Sequence, residues 1–337
     1  MEDYKMYLAN ENRYENMKYN RVGKSGLMFP AVSLGFWHNF GSNGNYENMR
    51  QMMHTAFDLG ITQFDLANNY GPEYGRAEIN AGHLLHEDFM PYRDELVITT
   101  KAGFDMWPGP YGNWGSRKYL IASCDQSLKR LGLDYVDIFY HHRPDPDTPL
   151  EETMEALLQI VQSGKALYAG ISNYNAEQTE AALKIARKIH LPLIVNQRSY
   201  SIFNKKIERE GLKETTKKCG LGIIAFSPLA QGLLTDRYIN GIPTDSRIAH
   251  DGRYLHREDL SEKKLSAIKQ LNEIAAARGQ SLADMALSWI LRDGSVCSVL
   301  VGASKPEQIK DSVRCLKNMS FSSEELEKIN EISGEIG

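Results

Sequence analysis

Cysteine is scarce in this chain. Cys124, Cys219, Cys297 and Cys315 are scattered along 337 residues, with no C-x-x-C pair and no Cys/His spacing suited to zinc. They read as free thiols, which excludes a disulfide framework. Long apolar runs are missing as well. No stretch approaches the roughly 18 apolar residues of a membrane-spanning helix. The opening residues, MEDYKMYLANENRYENMKYN, lack the apolar core of a signal peptide. A reducing cytoplasm is therefore the expected setting, with no membrane partner. Excess charge of one sign is also absent: 39 basic against 43 acidic side chains leave a net charge of -4, with no block of like charge. Electrostatic attraction to nucleic acid is not expected, and small-molecule partners are.

What is present is an ordinary globular composition, 42% hydrophobic and 24% charged, and a regular beat of two kinds of segment. Residues 17–22, the turn signal GKSG and residues 27–30 suggest a β-hairpin. After it, short β-branched or apolar runs alternate with amphipathic ones: AVSLG with YENMRQMMHTAFDLG, ITQFD with RAEINAGHLLHEDF, ELVITT with SRKYLIASCDQSLKRLG, and YVDIFY with PLEETMEALLQIVQSG. The beat continues through ALYAGIS with AEQTEAALKIARKIH, LIVNQ with IEREGLKETTKKCG, GIIAF with a long loop and helices over 262–278 and 282–292, and SVLVGA with KPEQIKDSVRCLKN. Eight such units predict a (β/α)8 TIM barrel, with the surplus over about 250 residues placed in the hairpin, long loops on the C-terminal face and the tail. A doubly wound open sheet is the competing topology. No internal linker is visible, so residues 1–337 are read as one domain.

In a barrel, chemistry gathers at the C-terminal ends of the strands. There the second strand ends in Asp65, followed by LANNYG with Tyr70; the third ends in Lys101; the fourth ends in His141 and His142. Singly each has an ordinary explanation, as a turn cap, a rim side chain, a solvated cation or a histidine bonded to a carbonyl. Jointly they suggest a proton-transfer site, because a lysine at the end of a buried strand needs a counter-charge that Asp65 can supply. The expected consequence is a cation that favours ionisation of the tyrosine. Adjacent strand residues face opposite ways, so at most one of the two histidines serves the site. The string GLGIIA at 220–225 has the letters of a dinucleotide fingerprint, but its glycines precede a strand instead of following one. His83 and His86 lie three apart on a helix with no completing ligands, so no metal is expected.

The segments GITQFDLANNYGPEYGRAE, LVITTKAG, DIFYHHRPD, GISNY, VNQ, AFSPLAQGLLTDRY and VGASKPEQI, in this order, resemble the aldo-keto reductases along nearly the whole chain. The similarity is strongest to the bacterial branch that reduces L-glyceraldehyde 3-phosphate, which lies near the β-subunits of voltage-gated potassium channels. The resemblance implies an NADP(H)-dependent reductase of small aldehydes, triose phosphates and methylglyoxal among them, working as a homo-oligomer of four or more subunits. It places the catalytic tetrad on Asp65, Tyr70, Lys101 and His142, the histidine lying five residues after Asp137. Tyr70 would be the general acid, and Trp37, Tyr70 and His142 would touch the substrate.

For the cofactor, the resemblance implies Trp37, Asp65, Ser172, Asn173 and Gln197 around the nicotinamide, and Ser227, Pro228, Leu229, Gln231 and Gly232 over the pyrophosphate. Arg237 and Arg247 would be cationic contacts. Gly302, Ser304, Lys305 and Gln308 would hold the adenosine end and its 2′-phosphate. Asp311 and Ser312 stand where the family usually has Glu and Asn at the adenine, which puts the tightness of that contact in question. The Gly-, Pro- and Trp-rich loop AGFDMWPGPYGNWGSRK is expected to border the substrate, with Ser116 capping the next helix and Arg117 reaching a substrate phosphate. The alternative reading is a cofactor-binding sensor like the channel subunits, which carry asparagine at the position of His142.

Overall fold

The computed structural model describes residues 7–238 and 260–334. Eight parallel strands close into a barrel, each paired with the next in the chain and the last with the first, which excludes the open doubly wound sheet. The strands are β3 (Val32–Gly35), β4 (Gln63–Asp65), β5 (Val97–Ala102), β6 (Val136–His141), β7 (Ala166–Ser172), β8 (Leu193–Ser199), β9 (Gly222–Phe226) and β10 (Ser298–Val301). The predicted hairpin is also present, as β1 (Tyr19–Arg21) and β2 (Met28–Pro30) pairing antiparallel.

Strand alternation divides the apolar residues into two layers. Phe64, Ile98, Phe139 and Ile171 face outward and pack against the helices. Val97, Ile138, Tyr140, Val195, Ile224, Cys297 and Leu300 fill the lumen, and Val22 and Phe29 of the hairpin join them, so the hairpin closes the N-terminal end of the barrel. Gly170 permits one close approach within this layer. A Cβ there would lie 2.4 Å from the ring of Tyr140, which could then no longer lie across the lumen beneath the strand ends.

Helix starts are fixed by the residues that leave the strand-end loops. Asn45 caps the helix Tyr46–Asp58, and Ser116 caps Arg117–Leu131 by accepting from the Tyr119 amide. Asn175 and Gln178 form a capping box on Ala176–Lys188. Three runs depart from the expected elements. IEREGLKETTKKCG is not one helix: it divides into Lys206–Arg209 and Leu212–Cys219 about Gly211, whose φ of 71° is left-handed and ends the first turn. The α-helix Arg76–Leu84 widens into a π-helical turn over Leu85–Phe89. The last barrel helix, Pro306–Val313, tightens to a 3-10 turn over Arg314–Lys317. The strands ELVITT and YVDIFY run on by two residues and one, which brings Lys101 and His141 inside β5 and β6.

Among the described residues no helix is long and apolar enough to cross a membrane. No group of three potential metal ligands occurs among them either. His86 bonds the Gly132 carbonyl at 2.8 Å, apart from any ligand cluster.

Candidate active site

Asp65, Thr99 and Lys101 face inward at the ends of β4 and β5, all fully buried. The Lys101 ammonium donates to Asp65 Oδ2 at 2.5 Å and to the Leu66 carbonyl at 2.6 Å. The other carboxylate oxygen, Oδ1, accepts from the Thr99 hydroxyl at 2.8 Å and from Gln197 Nε2 at 3.0 Å. Such a buried pair persists only because both oxygens of the acid find donors. Tyr70, half-buried on the loop after β4, holds its ring centroid 5.0 Å from Lys101 Nζ. The His142 ring stands edge-on to it at 5.9 Å.

The two histidines separate as strand alternation requires. His141 turns toward the helices, where its Nδ1 meets the Tyr174 hydroxyl at 2.6 Å. His142 turns inward beside Tyr70. Burial, and then the nearby Lys101 charge, push the His142 imidazole well below its ordinary range, so it is neutral at neutral pH. Its Nδ1 is buried with no partner among the described residues. A buried N-H without an acceptor is costly, which favours the tautomer protonated on Nε2.

The acidity of Tyr70 differs from the sequence expectation. Burial, reinforced by the Asp65 charge, holds the phenol well above its ordinary value. Asp65 lies against Lys101, so the couple shows the phenol little net positive charge to oppose the effect of burial. Burial also lowers the Lys101 ammonium below the usual lysine range, opposed by Asp65. Tyr70 is therefore a protonated phenol and not a pre-ionised one.

Polar groups continue from this cluster around the rim. Ser172 Oγ donates to the Gln197 carbonyl at 3.0 Å, and Asn173 Nδ2 donates to the His142 carbonyl at 3.0 Å. Ser172, Asn173 and Gln197 are thus wired to both Asp65 and His142. Trp37 joins the Tyr70 loop through its carbonyl, which accepts from the Gly71 amide at 3.1 Å. Across the mouth, the loop after β9 holds Ser227, Ala230 and Gln231 at left-handed φ values of 53°, 48° and 61°. Non-glycine residues persist in such conformations where surrounding structure imposes them, commonly at ligand-binding loops. Pro228 is buried, and Leu229 and Gly232 are half-buried in the same loop.

After β10, Gln308 Oε1 accepts from the Ser304 amide at 2.7 Å, while Ser304, Lys305 and Gly302 are exposed at the start of the helix Pro306–Val313. A Cβ added at Gly232 or Gly302 would meet no atom of the described residues within 4 Å. Arg237 lies exposed on the short turn Asp236–Tyr238, and Arg247 falls outside the described residues. Asp311 pairs with Arg314 at 2.8 Å, and Ser312 Oγ bonds back to the Gln308 carbonyl at 2.7 Å, so both side chains are engaged on their own helix. This donor set suits a nicotinamide dinucleotide: amides and hydroxyls beside the tetrad, the Ser227 to Gly232 loop across the mouth, and a lysine with helix amides at the far end.

A family model described as "Aldo/keto reductase family" matches residues 31–334, the barrel and its tail. The chain belongs to the aldo/keto reductase family. It is 56% identical to the L-glyceraldehyde 3-phosphate reductase of Escherichia coli K12 over 329 residues, 97% of this chain and 95% of that one. It is also 36% identical to a putative voltage-gated potassium channel subunit beta of Schizosaccharomyces pombe, with 94% of each chain covered. A probable subunit beta of rice, Oryza sativa subsp. japonica, is 36% identical over 89% of this chain and 91% of its own. Family membership and the reductase relative make this protein an oxidoreductase.

One residue expected at the site of this aldo/keto reductase has its side chain engaged on a neighbouring helix. Arg117 begins the helix after the Trp-rich loop as expected, but its guanidinium pairs with Glu155 at 2.7 Å and donates to Gln159 at 3.2 Å on the neighbouring helix Leu150–Gln162. Sequence reasoning did not single out a second arginine. Arg143 follows His142 directly, and its Nε donates to the Gly103 carbonyl at 2.8 Å. Its Cζ lies 4.2 Å from the Phe104 ring centroid and 3.7 Å from that of Trp114. The only signal in the sequence was a cation at a strand end, flanked by an aromatic loop distant along the chain.

Proposed function

We propose that this aldo/keto reductase carries out the NADPH-dependent reduction of small aldehydes, L-glyceraldehyde 3-phosphate foremost and methylglyoxal as a second substrate. The observation that carries the reading is the buried Asp65 and Lys101 couple beside a protonated Tyr70 and a neutral His142, on a chain 56% identical to an L-glyceraldehyde 3-phosphate reductase. The cofactor, when bound, supplies a hydride to the carbonyl carbon. Tyr70 donates the proton that converts the developing alkoxide into an alcohol. His142 donates a hydrogen bond from Nε2 and fixes the carbonyl oxygen beside the phenol. Lys101, immobilised by Asp65, lies under the Tyr70 ring and steadies the charge that remains when the proton has left.

Ser172, Asn173 and Gln197 hold the carboxamide, the Ser227 to Gly232 loop covers the pyrophosphate, and Ser304, Lys305 and Gln308 receive the 2′-phosphate that distinguishes NADPH from NADH. Trp37 walls the nicotinamide side. We place the enzyme in the cytoplasm as a homo-oligomer of four or more subunits, a state that sedimentation velocity checks directly. The channel-subunit relatives suggest a cofactor-holding sensor as the other reading, which the higher identity to the reductase disfavours.

Tyr70→Phe tests the acid assignment. Turnover of L-glyceraldehyde 3-phosphate and of methylglyoxal should fall by about 100-fold or more, with NADPH affinity, read by fluorescence, retained. Undiminished turnover would remove Tyr70 from the reaction.

A further inference from the structure

The loop between β5 and its helix folds back over the mouth of the barrel, and Arg143 is the group it folds onto. The guanidinium is sandwiched between the rings of Phe104 and Trp114, while Nη2 donates to Asn113 Oδ1 at 2.9 Å. Trp114 adopts a left-handed φ of 71°, a conformation unfavourable for an aromatic residue, and its ring still lies on the cation. Gly115 next to it donates its amide to Asp145 Oδ2 at 2.9 Å, which ties the loop to the β6 end. The guanidinium is therefore held in one position before any ligand arrives.

It is held without a counter-ion. Among the described residues Arg143 makes no ion pair, and Nη1 has no hydrogen-bond partner. The two carboxylates nearest in effect, Asp105 and Asp145, are engaged elsewhere: Asp105 by the Asn113 amide, Asp145 by the backbone amides of Gly115, Asp147 and Thr148. A half-buried, unpaired and pre-ordered arginine fork is suited to a phosphate, which it can grip through two parallel N-H donors.

Its place relative to the reacting carbonyl follows from Phe104. That ring lies edge-on to the His142 imidazole at 4.7 Å and carries the guanidinium on its face at 4.2 Å. The sum of those two distances is the upper bound on the separation of imidazole and guanidinium, a span matched by a three-carbon aldehyde with its phosphate at the far end. We infer that Arg143 receives the phosphate of a triose phosphate substrate and sets the preference of the site for phosphorylated over neutral aldehydes. This rests on the triose phosphate reading proposed above, and it assigns to Arg143 the role that sequence reasoning gave to Arg117.

The test compares L-glyceraldehyde 3-phosphate with L-glyceraldehyde in the wild-type enzyme, Arg143→Met and Arg143→Lys. Methionine preserves the stacked volume without charge. Its kcat/KM should fall about 10- to 100-fold for the phosphorylated substrate, the loss expected for a charged hydrogen bond, and change little for the neutral one. Lysine should restore part of the difference. An equal fall with both substrates would reduce Arg143 to a prop for the loop, and no fall with either would end the proposal.

If the wild-type enzyme reduces neither triose, the substrate reading itself fails. Arg143 is then judged by titrating glycerol 3-phosphate into NADP+-saturated protein and following tryptophan fluorescence. Binding that is lost in Arg143→Met supports the anion site. Equal binding by both proteins, or none by the wild type, overturns it.

Discussion

Replacing Lys101 with methionine leaves the fully buried Asp65 carboxyl stripped of its cation. Removing one partner of a buried ion pair costs about 3–5 kcal/mol, a large fraction of the roughly 5–15 kcal/mol that holds a domain folded. The structure places this case near the lower end. Asp65 keeps its bonds from Thr99 and Gln197, although the Leu66 carbonyl loses its donor. A loss of about 3 kcal/mol is therefore expected for Lys101→Met. Adding Asp65→Asn removes the stranded carboxyl while an amide oxygen can still accept from Thr99 and Gln197. The double variant should recover about 2 kcal/mol relative to Lys101→Met, yet remain as inactive, because neither charge is present to serve Tyr70. Urea unfolding at neutral pH of the two single variants and the double, with steady-state reduction measured on the same preparations, closes the cycle. A single variant destabilised by under about 1 kcal/mol, or a double variant no more stable than Lys101→Met, would refute the argument that this is a desolvated, mutually dependent pair.

Three further outcomes follow from the site. His141 is held down to about 4 by burial, so its folded-state value lies below the ordinary 6.5. The stability it confers is present above pH 6.5 and is lost as pH falls toward 4. From pH 7 to 5 this group should account for about 2 kcal/mol of lost stability, and His141→Gln should flatten urea-derived stability against pH; an unchanged slope would reject a buried neutral His141. Because Tyr70 keeps its proton, reductive kcat should stay level from about pH 6 to 9, and a fall across that range tracking one deprotonation would show an acidified phenol instead. Replacing Lys305 and Gln308 with alanine should weaken NADPH binding more than NADH binding, measured by fluorescence titration, and equal weakening would detach both residues from the 2′-phosphate.

The barrel was legible because its signal is local and repeated: eight apolar runs, each followed by a helical pattern, leave little freedom in topology. Gly211 shows the limit, since the hydrophobic pattern ran through it while its left-handed backbone stopped the helix. Asp65 and Lys101 could be paired from strand ends alone. His142 could be told from His141 only with help from the family resemblance, because alternation says that two neighbours diverge without saying which turns inward. The sign of the Tyr70 shift was misread for a reason of distance: a lysine acidifies a phenol only if its own charge is not spent closer by, and the sequence does not show that Asp65 lies at 2.5 Å. The pairing of Arg117 on its helix flank was hidden for the same kind of reason. Arg117 and Arg143 are both cations beside the substrate loop, and only the positions of Glu155, Phe104 and Trp114 decide which one is neutralised on a helix flank.

Val22 and Phe29 stopper the barrel from beneath, so the tetrad can be approached from one side only. With Val97, Ile138, Tyr140 and Leu300 packed above that stopper, the lumen is solid, and the strand-end face is the only part of the barrel interior left to meet a ligand.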